Sequence, residues 1–344
     1  MPGTFLGFPF DAELFLLNWQ NAVDPTRAAL IASGAIAQSS DIRNLIANGG
    51  NLYTIPFYNV LGGEEENYDG QTDSEPEATT GGAQTGVVWG RMKSWKAQDF
   101  VIDFNSGADP MQQITSQVAK YWQKKTQASL IQILNGIFGI TDDESEHWDA
   151  WQMHTNNIAA TGNTVAEGNM VGEVTAGETA QMACGDNAGI FSLAVMHSKV
   201  AMGLAAKQLL QFRKYTDPMG IERTLNIADW NGYTVLVDDG VPVTASSVAG
   251  EKNYTTYLFG NGSILTAPAP VKNPAEVGRD RLTAGGFDYL VTRKRETLHP
   301  NGFSFVLPTG VISPTNAQLG TAANWKLAGV DPKAIAISRI ISNG

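Results

Sequence analysis

Between residues 109 and 139 apolar side chains recur at three- and four-residue steps: Met111, Ile114, Val118, Tyr121 and Trp122, Leu130, Ile133 and Leu134, Ile137 and Phe138. That spacing is the period of one helix face, and the other face is polar, with Gln113, Gln117, Lys120, Gln123, Lys124 and Gln127. Asp109 as N-cap, Pro110 at the first helical position and Gln112 three residues after the cap mark a start, and Gly139 marks a stop. The pattern predicts a helix over 109–138 of about 44 Å, well above the usual globular length and long enough to act as a strut.

Ahead of this helix the pattern is extended. Leu52-Tyr53-Thr54-Ile55-Pro56-Phe57 forms one arm; Gly86-Val87-Val88-Trp89-Gly90 and Phe100-Val101-Ile102-Asp103-Phe104 form the other. Between them the segment 62–86 carries Glu64, Glu65, Glu66, Asp69, Asp73, Glu75 and Glu77 and neither Lys nor Arg. A mobile surface loop with a solvated charge run would look like this. A two-armed excursion of roughly 65 Å is nevertheless longer than a compact domain needs, so we read it as an arm reaching a neighbouring chain. Its carboxylates then need basic partners, and Lys93, Lys96, Lys120, Lys124 and Lys125 are the candidates.

Residues 1–51 read as a separate arm with small helices, one starting at Asp24-Pro25 and closing at Gly34, another running from Ser40 to Gly49-Gly50. After the long helix, 140–174 reads as irregular or strand structure. A short helix follows over 175–184, then a buried strand over 190–197 and a helix from Ser198 to Phe212. Strands are predicted at 233–237, 254–259 and 263–267, the last two joined by the hairpin signal Gly260-Asn261-Gly262. Residues 288–305 read as two long strands turning at His299-Pro300-Asn301-Gly302, 316–319 as a short helix and 333–341 as a strand. The fold class is α+β.

With 344 residues the chain exceeds the size at which single cores usually stop growing, so two linked cores are expected. A net charge of −11 argues against a sequence-independent nucleic-acid binder, whose affinity rests on Lys and Arg displacing counterions. A 17% charged content with 8 Trp suits a chain with large subunit contacts. The lone Cys184 excludes an intrachain disulfide and fits a reducing compartment. The run Leu14-Phe15-Leu16-Leu17 is too short for a leader, and no apolar run is long enough to span a bilayer, so neither export nor a membrane partner is expected.

Catalytic and metal-binding signals are weak. His147, Asp149 and His154 lack ligand spacing and read as loop polar residues; His197 and Ser198 lack a nucleophile elbow, and a hydrogen-bonded structural His is the better reading. Asp238-Asp239 before Gly240 reads as a turn, and Cys184 as a small packed residue. We therefore expect no enzyme, no cofactor and no metal.

The order of arm, acidic-tipped extended loop, long helix and mixed core resembles the major capsid proteins of tailed bacteriophages, whose shell fold is shared with encapsulins. Gly107-Ala108-Asp109-Pro110-Met111, Val118-Ala119-Lys120-Tyr121-Trp122, Ala194-Val195-Met196-His197-Ser198, Tyr233-Thr234-Val235-Leu236-Val237-Asp238-Asp239 and Asp331-Pro332-Lys333-Ala334-Ile335 carry the resemblance. It implies a Hong Kong 97-type capsid fold with an N-terminal arm (1–51), an extended loop (52–104), a spine helix (109–138), a peripheral domain (105–174 and 286–312) and an axial domain (175–285 and 313–344). It further implies self-assembly into pentamers and hexamers of an icosahedral head enclosing double-stranded DNA, with portal and scaffolding or decoration proteins as partners and the virion, assembled in the host cytoplasm, as location. The loop tip has no Lys, so no covalent cross-link is expected. An encapsulin-like compartment and a soluble mixed-core hydrolase or binding protein remain the alternatives.

Overall fold

The computed structural model describes residues 3–5, 8–10, 34–47, 49–58, 67, 81–98, 110–141, 147–162, 164–216, 222–283 and 286–344. Near the N-terminus β1 (Gly3–Phe5) pairs with β2 (Phe8–Phe10). β3 (Ile36–Gln38) leads into α1 (Ser40–Ile46), whose Ile42 N–H is capped by the Ser39 hydroxyl at 3.2 Å. The helix expected from Asp24 and the strand expected at 100–104 lie outside the described residues.

β4 (Leu52–Tyr58) and β5 (Gly81–Val87) form an antiparallel hairpin, in register from Leu52 opposite Val87 to Tyr58 opposite Gly81. β6 (Trp89–Gln98) continues from it, and α2 (Pro110–Phe138) follows with 29 residues, as the periodicity predicts. Then come α3 (Trp148–Gln152), β7 (Thr155–Asn157), α4 (Thr175–Cys184), β8 (Phe191–Met196) and α5 (Ser198–Ala206). The chain continues with β9 (Gln211–Thr216), β10 (Glu222–Trp230), β11 (Tyr233–Val237), β12 (Val243–Ala245) and β13 (Lys252–Gly260). After β14 (Ile264–Ala269), β15 (Ala275–Asp280), β16 (Phe287–Pro300) and β17 (Phe303–Phe305), it closes with α6 (Asn316–Leu319), β18 (Trp325–Leu327) and β19 (Ile337–Ser342).

Two sheets organise the described residues. In the larger the order is β7-β19-β13-β8-β11-β10-β9, with β12 beside β13. Strand alternation sends Leu193, Val195, Leu236, Tyr257 and Phe259 to one face, where the C-terminal half of α2 packs through Leu130, Ile133, Leu134, Ile137 and Phe138. Ala194, Met196, Val235 and Leu258 point the other way, under α4 and α5. The smaller sheet is built on β16: β6 runs along one edge, and β15 and then β14 occupy the other, with β3 outside β14.

Several expectations are corrected by long-range pairing. Residues 260–262 are no hairpin turn: β13 belongs to the larger sheet and β14 to the smaller, so this turn hands the chain from one core to the other. Likewise 288–305 is not a two-strand hairpin, because β16 runs unbroken for 14 residues and β17 pairs with β18 instead. The helix from Ser198 stops at Ala206, since Gln208 takes a positive φ of 61° and β9 starts at Gln211 to pair with β10. His197, not Ser198, caps that helix. At 332–334 the backbone makes a single 3-10 turn, and the final strand begins only at Ile337.

Candidate functional site

The hairpin of β4 and β5 leaves the body from a buried polar root. The Tyr53 hydroxyl lies 2.7 Å from the Thr297 hydroxyl, which donates to the Val87 carbonyl at 2.8 Å. Opposite Tyr53 sits Gly86, and a Cβ there would run into the Tyr53 ring, so the pairing of aromatic and glycine is obligatory. On β5, Gln84 accepts at Oε1 from the Gly302 N–H (3.0 Å), stands 3.1 Å from His299 Nε2 and donates to Asn301 Oδ1 at 3.1 Å. The Thr85 N–H donates to the Ser304 hydroxyl, and Arg295 donates to the Gly50 carbonyl. Burial pushes His299 down to about 4, so its ring is neutral at ordinary pH. None of these anchoring residues stood out in the sequence. Gln84 and His299 are 215 positions apart, and no local pattern links them.

Beside this root, α2 lies along β16. Val118 and Trp122 pack on Leu290, with Trp95, Tyr121, Ala275 and Val277 around them. Trp122 Nε1 donates to the Thr292 hydroxyl at 3.0 Å. Farther along, Thr126 donates to Glu296 Oε1 at 3.0 Å, and Lys294 reaches the same carboxylate at 2.5 Å. A buried carboxylate is thus paired and bonded on both sides, as burial of a charge requires.

The carboxylates predicted at Glu64, Glu65, Glu66, Asp69, Asp73, Glu75 and Glu77 lie outside the described residues. Lys120, Lys124 and Lys125 are exposed on α2, and Lys125 lies 5.4 Å over the Tyr121 ring. Lys93 and Lys96 are exposed on β6 but face opposite ways. Lys93 pairs with Thr292 and so shares the face of α2, whereas Lys96 pairs with Tyr289 and sits 5.4 Å over the Phe287 ring on the far face. Four of the five lysines therefore share one side. Lys96 instead borders an open hollow of about 470 Å³ lined by Ser94, Trp95, Phe287, Tyr289 and Val291.

His154, His197, Asp238, Asp239 and Cys184, all weighed for chemistry, have structural partners. His154 Nδ1 donates to the Ile337 carbonyl at 2.8 Å and its ring stacks on Trp151. His197 Nδ1 accepts from the Lys199 N–H at 3.0 Å, so that nitrogen carries no proton and is engaged in capping rather than activating Ser198. The Ser198 hydroxyl, and after it the Ser198 N–H, hold the Asp239 carboxyl below its usual range. Asp238 accepts from Gly240 in a turn and from Gln127 of α2. Burial first, and then nearby Asp331, push the Cys184 thiol up to about 11, which makes it a poor nucleophile. Among the described residues no group of three His, Cys, Asp or Glu side chains could hold a metal, and no helix is long and apolar enough to cross a membrane.

No family model matches this chain. It is 29% identical over 313 residues to the major capsid protein of Bacillus phage SPP1, an alignment covering 90% of this chain and 89% of that one. In fold it is similar to the capsid of Ralstonia phage GP4, with a TM-score of 0.56 at 10% identity over 91% of this chain and 90% of the other. The Cyanophage Pam1 capsid asymmetric unit matches with a TM-score of 0.52 at 13% identity over 93% of both chains.

Proposed function

We infer that this chain is a tailed-bacteriophage major capsid protein with the Hong Kong 97-type fold, a structural protein of the phage head. The observation that carries this reading is the end-to-end likeness to the SPP1 protein, 29% identical along 90% of this chain and 89% of that one.

In this reading copies of the chain close into pentamers and hexamers of an icosahedral shell around double-stranded DNA, inside the host cytoplasm and then in the virion, with portal and scaffolding or decoration proteins as partners. Rings of five and six from one chain need contacts that tolerate small rotations. A rigid α2 clamped on β16 keeps the subunit's shape, while the hairpin spreads its contacts over a neighbour. The carboxylates from Glu64 to Glu77 meet Lys93, Lys120, Lys124 and Lys125 of the adjoining copy, and Lys96 lies on the other face of that sheet. We assign the arm, extended loop and spine helix to 1–51, 52–104 and 109–138. Residues 264–280 are assigned with the peripheral part, because β14 and β15 pair with β16.

Expression of the full chain followed by negative-stain electron microscopy tests the reading. Closed shells of uniform diameter are the expected result. A protein that stays monomeric with scaffolding protein and crowding agent present overturns it.

A further inference from the structure

We propose that His299 is an acid-released latch at the root of the hairpin: the neutral ring holds β5 against β16, and a proton taken up at Nδ1 lets the hairpin strands come away from the body.

The geometry fixes the proton on the neutral ring. The Gly302 N–H can only donate, so the Gln84 atom it meets at 3.0 Å is the oxygen, Oε1. That same oxygen lies 3.1 Å from His299 Nε2, so Nε2 must be the protonated nitrogen and must donate. The added proton therefore has to go to Nδ1. A cation there would sit in a site that is 1% exposed.

Among the described neighbours none offers the cation a negative charge. From β4 the ring meets Tyr53, 6.1 Å away edge-on, with its hydroxyl committed to Thr297. From β14 its register partner is Leu265, and from β5 it meets the Gln84 amide. Arg295 is two pairs along the same face of β16, itself cationic and engaged with the Gly50 carbonyl. Burial alone accounts for the depressed pKa of about 4, against 6.5 for a free imidazole. Opening the root restores the free value, so acid drives opening. With those two values the opening constant rises about 25-fold between pH 7 and pH 5.

The consequence for a shell, in which the hairpin would lie on a neighbour, rests on the capsid reading; the latch itself belongs to the free subunit and is tested there. Hydrogen exchange of the unassembled full-length chain, corrected for intrinsic rates, is compared at pH 7 and pH 5. Amides of β4 and β5 should exchange through an opening more populated than the one that exposes β8 and β11, and should lose roughly 25-fold in protection between the two pH values. His299→Gln keeps an amide donor and cannot take up the proton, so its hairpin protection should not change with pH. Hairpin amides as protected as those of β8 and β11 at both pH values, or an unchanged acid response in His299→Gln, overturns the latch. Should that variant not fold, the comparison of the two sheets in the wild-type chain decides alone. Absence of shells would sink the capsid reading and leave this result standing.

Discussion

Trp122 Nε1 donates to the Thr292 hydroxyl at 3.0 Å, and this bond joins the middle of the longest helix to the middle of the longest strand. Both groups are buried, so the indole N–H has no water to turn to. Trp122→Phe removes the donor and keeps most of the apolar contact with Val118 and Leu290; it should cost about 1–2 kcal/mol. Trp122→Ala also opens a cavity and should cost about 3–5 kcal/mol. Urea denaturation with an unchanged m-value checks both, and equal costs for the two variants would show that the bond, not the packing, holds the helix down.

Gly136 reverses the usual helix rule. An alanine in a helix interior normally stabilises it by about 1 kcal/mol over glycine. Here the added Cβ would stand 2.6 Å from the Leu319 carbonyl and 2.6 Å from the Trp325 indole, because the segment around α6 crosses α2 at this point. Gly136→Ala should destabilise by about 1–3 kcal/mol, and calorimetry should find a lower Tm.

Acid should weaken the fold well before its carboxylates titrate. His299 and His154 are buried with folded pKa values below that of a free imidazole. For each, stability is complete above the unfolded value near 6.5 and is lost as pH falls toward the folded value. From the two values for His299 the loss between pH 7 and pH 5 is about 2 kcal/mol. Asp239 and Asp280 are held low by hydrogen bonds and act only below the usual carboxylate range, so they leave this window untouched. Urea midpoints at the two pH values check the sum, and the pH dependence should shrink in His299→Gln.

What the sequence made legible was local. α2 was readable because its apolar period persists over about eight turns between a Pro start and a Gly stop, and α4 because it ends at Gly185. The misread stretches all answer to distant partners. Gly260-Asn261-Gly262 has hairpin chemistry, but Gly260 is pressed against the Ile190 carbonyl and Ala336, and its flanking strands join different sheets. Leu209 and Phe212 continue a helical period, yet β9 is drawn away by β10. The root network was invisible for the same reason: Gln84, Tyr53 and His299 are unremarkable until the fold brings β4, β5 and β16 together.

The hairpin tip should matter to assembly and not to folding. Pairing from Leu52–Val87 to Tyr58–Gly81 and the buried bonds of Gln84 and Tyr53 all lie below the tip, so replacing residues 60–79 with a two-residue turn leaves them in place. The shortened chain should show the same urea midpoint as the parent and far fewer shells by sedimentation velocity and microscopy. Changing Glu64, Glu65, Glu66, Asp69, Asp73, Glu75 and Glu77 to their amides keeps the length and removes the charge. If ion pairs with Lys93, Lys120, Lys124 and Lys125 of the adjoining copy drive docking, this variant should assemble as poorly as the parent does in high salt, because the Debye length falls to about 3 Å at 1 M. Shells that form equally well from the amide variant would assign the hairpin's contribution to backbone and apolar contacts instead, with Tyr58, 83% exposed at its last described pair, as the next residue to change.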